Sequence, residues 1–235
     1  MIKLEKSYKT AKRCLVLALF TVLVSPMISF AGPIVDPLTI YGQKHEFLVK
    51  RNGSVVGKHL LQFEKDESSL IAKTDFNVAV SLLGIPLYKF YYKSEGIWEE
   101  GKLKSLEVNV DEQGEKKSIR LISSENGFLV NGQTLPSSSD LLLPTNHWNP
   151  AVLQQNQVFN TILGKLNRVE IANKGQEIVE VRNGSILATR YEYSGELNLE
   201  AWYDRDGRWV KLRFLAEDDS VIEYFCLTCK ASVNS

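Results

Sequence analysis

The sequence has no surplus of charge of either sign, with 28 Lys and Arg against 28 Asp and Glu. Phosphate backbones are bound by clustered basic residues, so no nucleic-acid partner is expected. Histidine is scarce: His45, His59 and His147 are the whole supply. A base poised near neutral pH is most often a histidine, which leaves general acid–base chemistry few places to sit. No serine lies in a G-x-S-x-G elbow or beside a local His and Asp arranged to activate it. Acidic residues are scattered singly at turns, and spacing assigns no glycosidase-like pair.

Long apolar runs are also missing. The one at the start, from Cys14 to Val24, falls short of the ~20 residues that a comfortable membrane span needs. Lys3, Lys6, Lys9, Lys12 and Arg13 precede it, and Ser29-Phe30-Ala31 puts small residues at −3 and −1 before Gly32. This is the anatomy of a secretory signal peptide, with cleavage expected after Ala31. Residues 1–31 then form the signal, and 32–235 form a single β-rich domain, periplasmic or secreted, with no stable span. Without residues 1–31 the charge becomes 28 − 5 = 23 basic against 28 − 1 = 27 acidic, a net −4.

Two cysteines remain in the exported part, Cys226 and Cys229, in "YFCLTC". On an extended strand, residues three apart lie ~10 Å apart and point to opposite faces, whereas a disulfide needs Cα atoms within ~7 Å. If the two bond, the last strand must end or bend near Cys226. A disulfide staple is the leading expectation in an oxidising compartment. A redox-active pair lacks its βαβ context. Half of a metal site would need histidines from elsewhere.

What the sequence does have is alternation. "DFNVAV", "LEVNVD", "LNLEAWYD" and "WVKLRF" place apolar and polar side chains on opposite faces of strands. Asn-Gly recurs at Asn52, Asn126, Asn131 and Asn183, and Asp206-Gly207 adds a fifth tight-turn signal. Antiparallel, locally connected strands follow, about eleven or twelve of them. Only "NPAVLQQNQ" breaks the rhythm: Asn149 caps and Pro150 opens a short helix expected near 149–156. The expected fold is an all-β antiparallel meander curled into a barrel or half-barrel, with a two-sheet sandwich as second choice. Meanders over about 40–136 and 157–227 are joined by a linker and the short helix.

The chain resembles an uncharacterised family of exported bacterial proteins, a domain of unknown function. The resemblance rests on "RNGSVVGKH" at 51–59, "GIWEEGKLKSLEV" at 96–108, "HWNP" at 147–150, "FNTILGKL" at 159–166 and "WYDRDGRWVKLRFLAEDDSVIEY" at 202–224. It implies an antiparallel β fold and an envelope or extracellular setting, with no reaction, cofactor or catalytic residue to carry over. The "FCLTC" tail lies beyond it.

Several motifs are better explained as turns. "GIWEEGK" has phosphate-loop glycine spacing, but Leu103 stands where a hydroxyl would hold magnesium. "HEFLV" has Val49 where a zinc-protease helix needs its second histidine, and "DRDG" at 204–207 lacks the remaining ligands of a calcium loop. His45 and His59 flank the Asn52-Gly53 turn. A three-residue loop would set them opposite each other, and a two-residue loop would pair Glu46 with His59. With His147 they are the weak candidates for a metal site.

His147 is the weak catalytic candidate, and Trp148 beside it is either a structural corner or a pocket wall. "VAVSLLGIPLYKFYY", from Val78 to Tyr92, is the most apolar stretch of the exported part. It reads as two buried strands meeting at a corner, or as an apolar lip. Leu83, Ile85, Tyr88 and Phe90, with Trp148, are the ligand-lining candidates. The functional expectation is a non-catalytic binding or scaffold protein for a lipid or other apolar small molecule, or for an envelope protein, without cofactor or metal. The alternatives are an envelope hydrolase using His147 and a protein-interaction module that offers a sheet edge.

Overall fold

The structure, a computed structural model, describes residues 36–83, 85–136 and 141–231. The expected signal peptide and its cleavage site lie outside the described residues. One sheet carries β1 (Lys44–Arg51), β2 (Ser54–Asp66), β3 (Ser69–Leu82), β4 (Ile85–Glu99), β5 (Lys102–Glu112), β6 (Glu115–Ser124), β7 (Gly127–Val130) and β8 (Gln133–Leu135). It continues with β9 (Gln157–Asn160), β10 (Lys165–Val181), β11 (Gly184–Gly195), β12 (Leu199–Asp204), β13 (Trp209–Leu215) and β14 (Val221–Cys226). A short helix, α1 (Pro37–Tyr41), precedes β1, and Asp36 caps it. The linker holds a 3-10 helix, Pro150–Gln154, capped by Asn149.

The order across the sheet is β8-β7-β6-β5-β4-β3-β2-β1-β14-β13-β12-β11-β10-β9, antiparallel between neighbours. The chain starts in the middle, runs outward to β8, crosses to the far edge at β9 and returns until β14 pairs with β1. The all-β, curled fold expected from the alternation is the fold observed, with fourteen strands rather than eleven or twelve. The extra strands are short ones, such as β7 and β8, which have no room to show a period.

The two ends of the sheet approach without joining. The Lys117 ammonium on β6 donates to the carbonyls of Ile162 and Leu163 in the β9–β10 turn. A Cβ on Gly164 would sit 3.2 Å from the Ile119 side chain, which shows how closely the turn lies on β6. The linker seals the edge of β9: Phe159 donates to Leu143 O, and Thr145 donates to Phe159 O.

Alternation decides what faces inward. His45, Phe47 and Val49 on β1, His59, Leu61 and Phe63 on β2, and Tyr92, Ser94 and Trp98 on β4 are all buried. The curled sheet is therefore filled by its own side chains. The distal half of β10–β11 bends at a register shift between Asn173 and Gln176. It then lies over the outer face of β12 to β14, where Trp202 Nε1 donates to Glu177 and Arg182 N donates to Cys226 O.

The β1–β2 register differs from both alternatives the turn suggested. The turn is the two-residue one, with Arg51 opposite Ser54. A bulge between Val49 and Lys50 then moves the register by one, so Phe47 faces His59 and His45 faces Leu61. The bulge keeps His59 on the same inward face as His45.

Candidate functional site

Residues 141–148 of the linker pass through the interior. Leu142, Leu143, Asn146, His147 and Trp148 are buried. Asn146 lies at the inner turn: it accepts from the Tyr92 hydroxyl at 3.3 Å and donates to Thr74 Oγ1 at 3.4 Å. On the opposite wall the Tyr203 hydroxyl donates to His147 O at 2.9 Å. His147 holds a left-handed backbone at φ 57°, which a histidine tolerates better than most residues. The chain then turns back, and Trp148 packs edge-on against Phe63 and Trp98. The Tyr41 hydroxyl of α1 donates to Trp148 O and accepts from Trp209 N. "HWNP" is thus a plug that ties β2, β4, β12, β13 and α1 together.

All three histidines meet inside. Their rings surround Trp209, with centroids 6.5 Å away for His45, 5.4 Å for His59 and 5.5 Å for His147. Burial holds each imidazole neutral, with pKa values lowered to about 3, about 3 and about 4. Neither ring nitrogen of His59, nor Nδ1 of His147, has a hydrogen-bond partner in the protein. The rings in contact with His147 are Tyr193, edge-on at 5.7 Å, and Trp209 at 5.5 Å. Among the described residues, the three metal-ligating groups whose atoms fall within 4.8 Å of one another are His45, Cys226 and Cys229, not the three histidines. Cys226 and Cys229 are disulfide-bonded, with Cα atoms 5.7 Å apart, because the strand ends at Cys226 and the tail turns.

The other end of the barrel is different. Eleven large apolar side chains are exposed among the described residues, and seven lie at this end: Val55, Leu83, Ile85, Leu87, Ile162, Leu163 and Leu215. The β3–β4 hairpin dominates. Its strands pair with each other as far as Leu82 and Ile85. Pairing of β3 to β2 stops at Val78, and pairing of β4 to β5 stops at Phe90. The tip therefore projects as a free two-stranded arm, with Leu83 95%, Ile85 64% and Leu87 54% exposed. Where β2 and β3 part, a groove of about 450 Å³ opens between Ser54–Val56 and Ala79–Ser81, beside Arg51 and Asn52. Below the arm, Phe90 is buried, and Tyr88 is half-buried and donates to Glu112 at 2.8 Å.

The sequence candidates therefore separate into two places. Leu83, Ile85, Tyr88 and Phe90 lie on the projecting arm and its base. Trp148 is buried among Phe63, Trp98 and Tyr41 near the opposite end. Trp209, at the centre of the histidine cluster, and Tyr193 were not singled out beforehand. Their signal was weak: each sits at an inward position of an alternating strand.

These features define a class: a curled, barrel-like antiparallel sheet, plugged at one end and apolar at the rim of the other. The chain belongs to a family known as a domain of unknown function, DUF6134, which it matches over residues 47–226. It is similar in structure to a β-barrel-like protein of another domain of unknown function, DUF1849, from Brucella abortus. That similarity has a TM-score of 0.51 at 9% identity and covers 81% of this chain and 97% of the other, so it speaks to the fold alone. No curated protein matches the chain.

Proposed function

We propose that the protein is an exported, non-catalytic binding protein whose apolar rim engages the acyl chains of a lipid. The observation that carries this is the β3–β4 arm. Leu83, Ile85 and Leu87 gain nothing for folding where they stand, because no neighbouring strand covers them. Clustered apolar surface at a projecting tip marks an interaction site. Moving a leucine- or isoleucine-sized side chain from water to acyl surroundings contributes about 1.5–3 kcal/mol, so three give a useful but reversible attachment. The groove beside Ala79–Ser81 offers the first place for a chain to lie. The signal-like residues 1–31 support an envelope location, where such a partner is at hand.

Native mass spectrometry of protein purified from its own envelope, with flotation on phosphatidylcholine vesicles, tests the proposal. Co-purified lipid or vesicle binding that is lost in Leu83→Asp with Ile85→Asp is the expected result. The double variant should keep its melting temperature, since both side chains are exposed. Wild-type protein that carries no lipid and ignores vesicles would refute the proposal.

A further inference from the structure

At the plugged end, Cys226, Cys229 and His45 form a group with a different chemistry. His45 Nε2 lies 2.7 Å from Trp209 O, an atom that can only accept. Nε2 therefore carries the proton, and the Nδ1 lone pair points to the tail, 2.9 Å from Thr228 Oγ1. Metal-ligating histidines are oriented in this way, with one ring N–H given to a carbonyl and the other nitrogen left for the ion. Thr228 lies between the two cysteines, and its hydroxyl also accepts from Glu46 N at 3.1 Å. Cys229 N donates to Cys226 Sγ at 3.0 Å. A hydrogen bond to sulfur favours a thiolate there once the disulfide is opened. Both cysteines and His45 are buried, and Leu227 N anchors the tail to Glu46 O. The C-x-x-C spacing is that of half a structural zinc site.

We propose that the reduced tail is a zinc site, with Cys226 and Cys229 thiolates and His45 Nδ1 as ligands and the fourth position open to Thr228 or water. The tail is then a two-state clip: a disulfide when oxidised, a metal knot when reduced. A dithiol reductant opens it. The Cys226–Cys229 S–S bond breaks, two electrons and two protons pass to the sulfurs, and the reductant closes its own disulfide. Zn²⁺ then binds both sulfurs and displaces their two protons. Two thiolates and one dication are neutral together, which suits a buried place. Two of the three ligands, His45 and Cys229, fall outside the family match at residues 47–226. The site is a property of this chain's ends, independent of the rim.

The test uses the full exported chain, reduced with a phosphine and desalted without oxygen, then titrated with Co²⁺ and Zn²⁺. Reduced protein should take up one Co²⁺, show the charge-transfer absorption of thiolate ligation and the visible bands of a tetrahedral site, and lose both to Zn²⁺. Oxidised protein and Cys226→Ser with Cys229→Ser should show neither. His45→Gln should weaken binding at least about tenfold, and His45→Cys should strengthen the charge-transfer band by adding a third thiolate. Reduced wild type that binds no better than oxidised protein overturns the proposal, and so does His45→Gln with wild-type spectrum and affinity. Should the His45 variants fail to fold, the spectrum of the wild type decides: octahedral bands without charge transfer overturn it.

Discussion

Mild acid should destabilise this protein, and the histidine cluster sets how steeply. The pKa values of His45, His59 and His147 are lowered to about 3, about 3 and about 4, with burial as the main cause. Charged His45 and His147 add to the lowering at His59, and charged Arg208 adds to it at His45. Tyr41, Tyr193, Tyr203 and Tyr224 also stand at the cluster, and burial keeps them protonated, so they offer no negative charge to an imidazolium; Asp204 is already paired with Arg208. In the unfolded chain each histidine titrates near its ordinary value of about 6.5. Lowered folded-state values mean that the stability is fully present above that pH. It is lost as the pH falls toward the folded-state values, because only the unfolded state takes up protons in between.

Between pH about 7 and about 5.5, each histidine costs about 1.3 kcal/mol, or about 4 kcal/mol for three. That is a large share of a typical 5–15 kcal/mol. An ordinary carboxylate titrates below this window. Urea unfolding followed by tryptophan fluorescence, at a series of pH values across this window, measures the slope. Near its acid end it should approach three protons taken up per molecule unfolded. His59→Leu should reduce this by about one proton. It should also raise stability near neutral pH by about 1–3 kcal/mol, because two unpartnered buried ring nitrogens are removed. Stability that stays level to within about 1 kcal/mol across the window would refute the reasoning, since it would mean that the folded interior accepts the protons.

Other perturbations follow from single contacts. Gly57→Ala would place a Cβ 2.0 Å from Asn77 O, where the backbone must move, so a loss of more than about 3 kcal/mol is expected in denaturant titration. Trp148→Ala removes the ring held between Phe63 and Trp98, and about 3–5 kcal/mol should be lost, read as a fall in melting temperature. Cys226→Ser with Cys229→Ser opens a very short loop, so the same measurement should show a loss of only about 2 kcal/mol.

The architecture was legible where strands were long and one-sided. Phe47 and Val49 on β1, and Leu61 and Phe63 on β2, recur every second residue, and each faces inward as the period requires. The Asn52-Gly53 and Asn131-Gly132 turns fall where expected. The β1–β2 register was not legible, because one inserted residue near Val56 moves every pair below it. Such a bulge leaves the alternation on each side intact, so nothing in composition announces it.

The candidate sites were legible in the opposite measure to their chemistry. The apolar character of Leu83 and Ile85 was legible but their exposure was not, because the same run reads as two buried strands meeting at a corner. The histidine cluster was not legible, although His45 and His59 stand at inward positions in H-x-F-x-V and H-x-L-x-F patterns. A histidine in phase with core residues on one strand is an ordinary event. Three of them around Trp209 require that β1, β2 and β13 lie close together and that the linker turn inward at His147. That inward turn depends on Asn146 finding Tyr92 and Thr74, and on His147 O finding Tyr203, across more than fifty residues of chain. Spacing along a sequence carries no trace of such bonds. They exist only once the sheet has curled, so the same closure that buries the plug also creates the cluster.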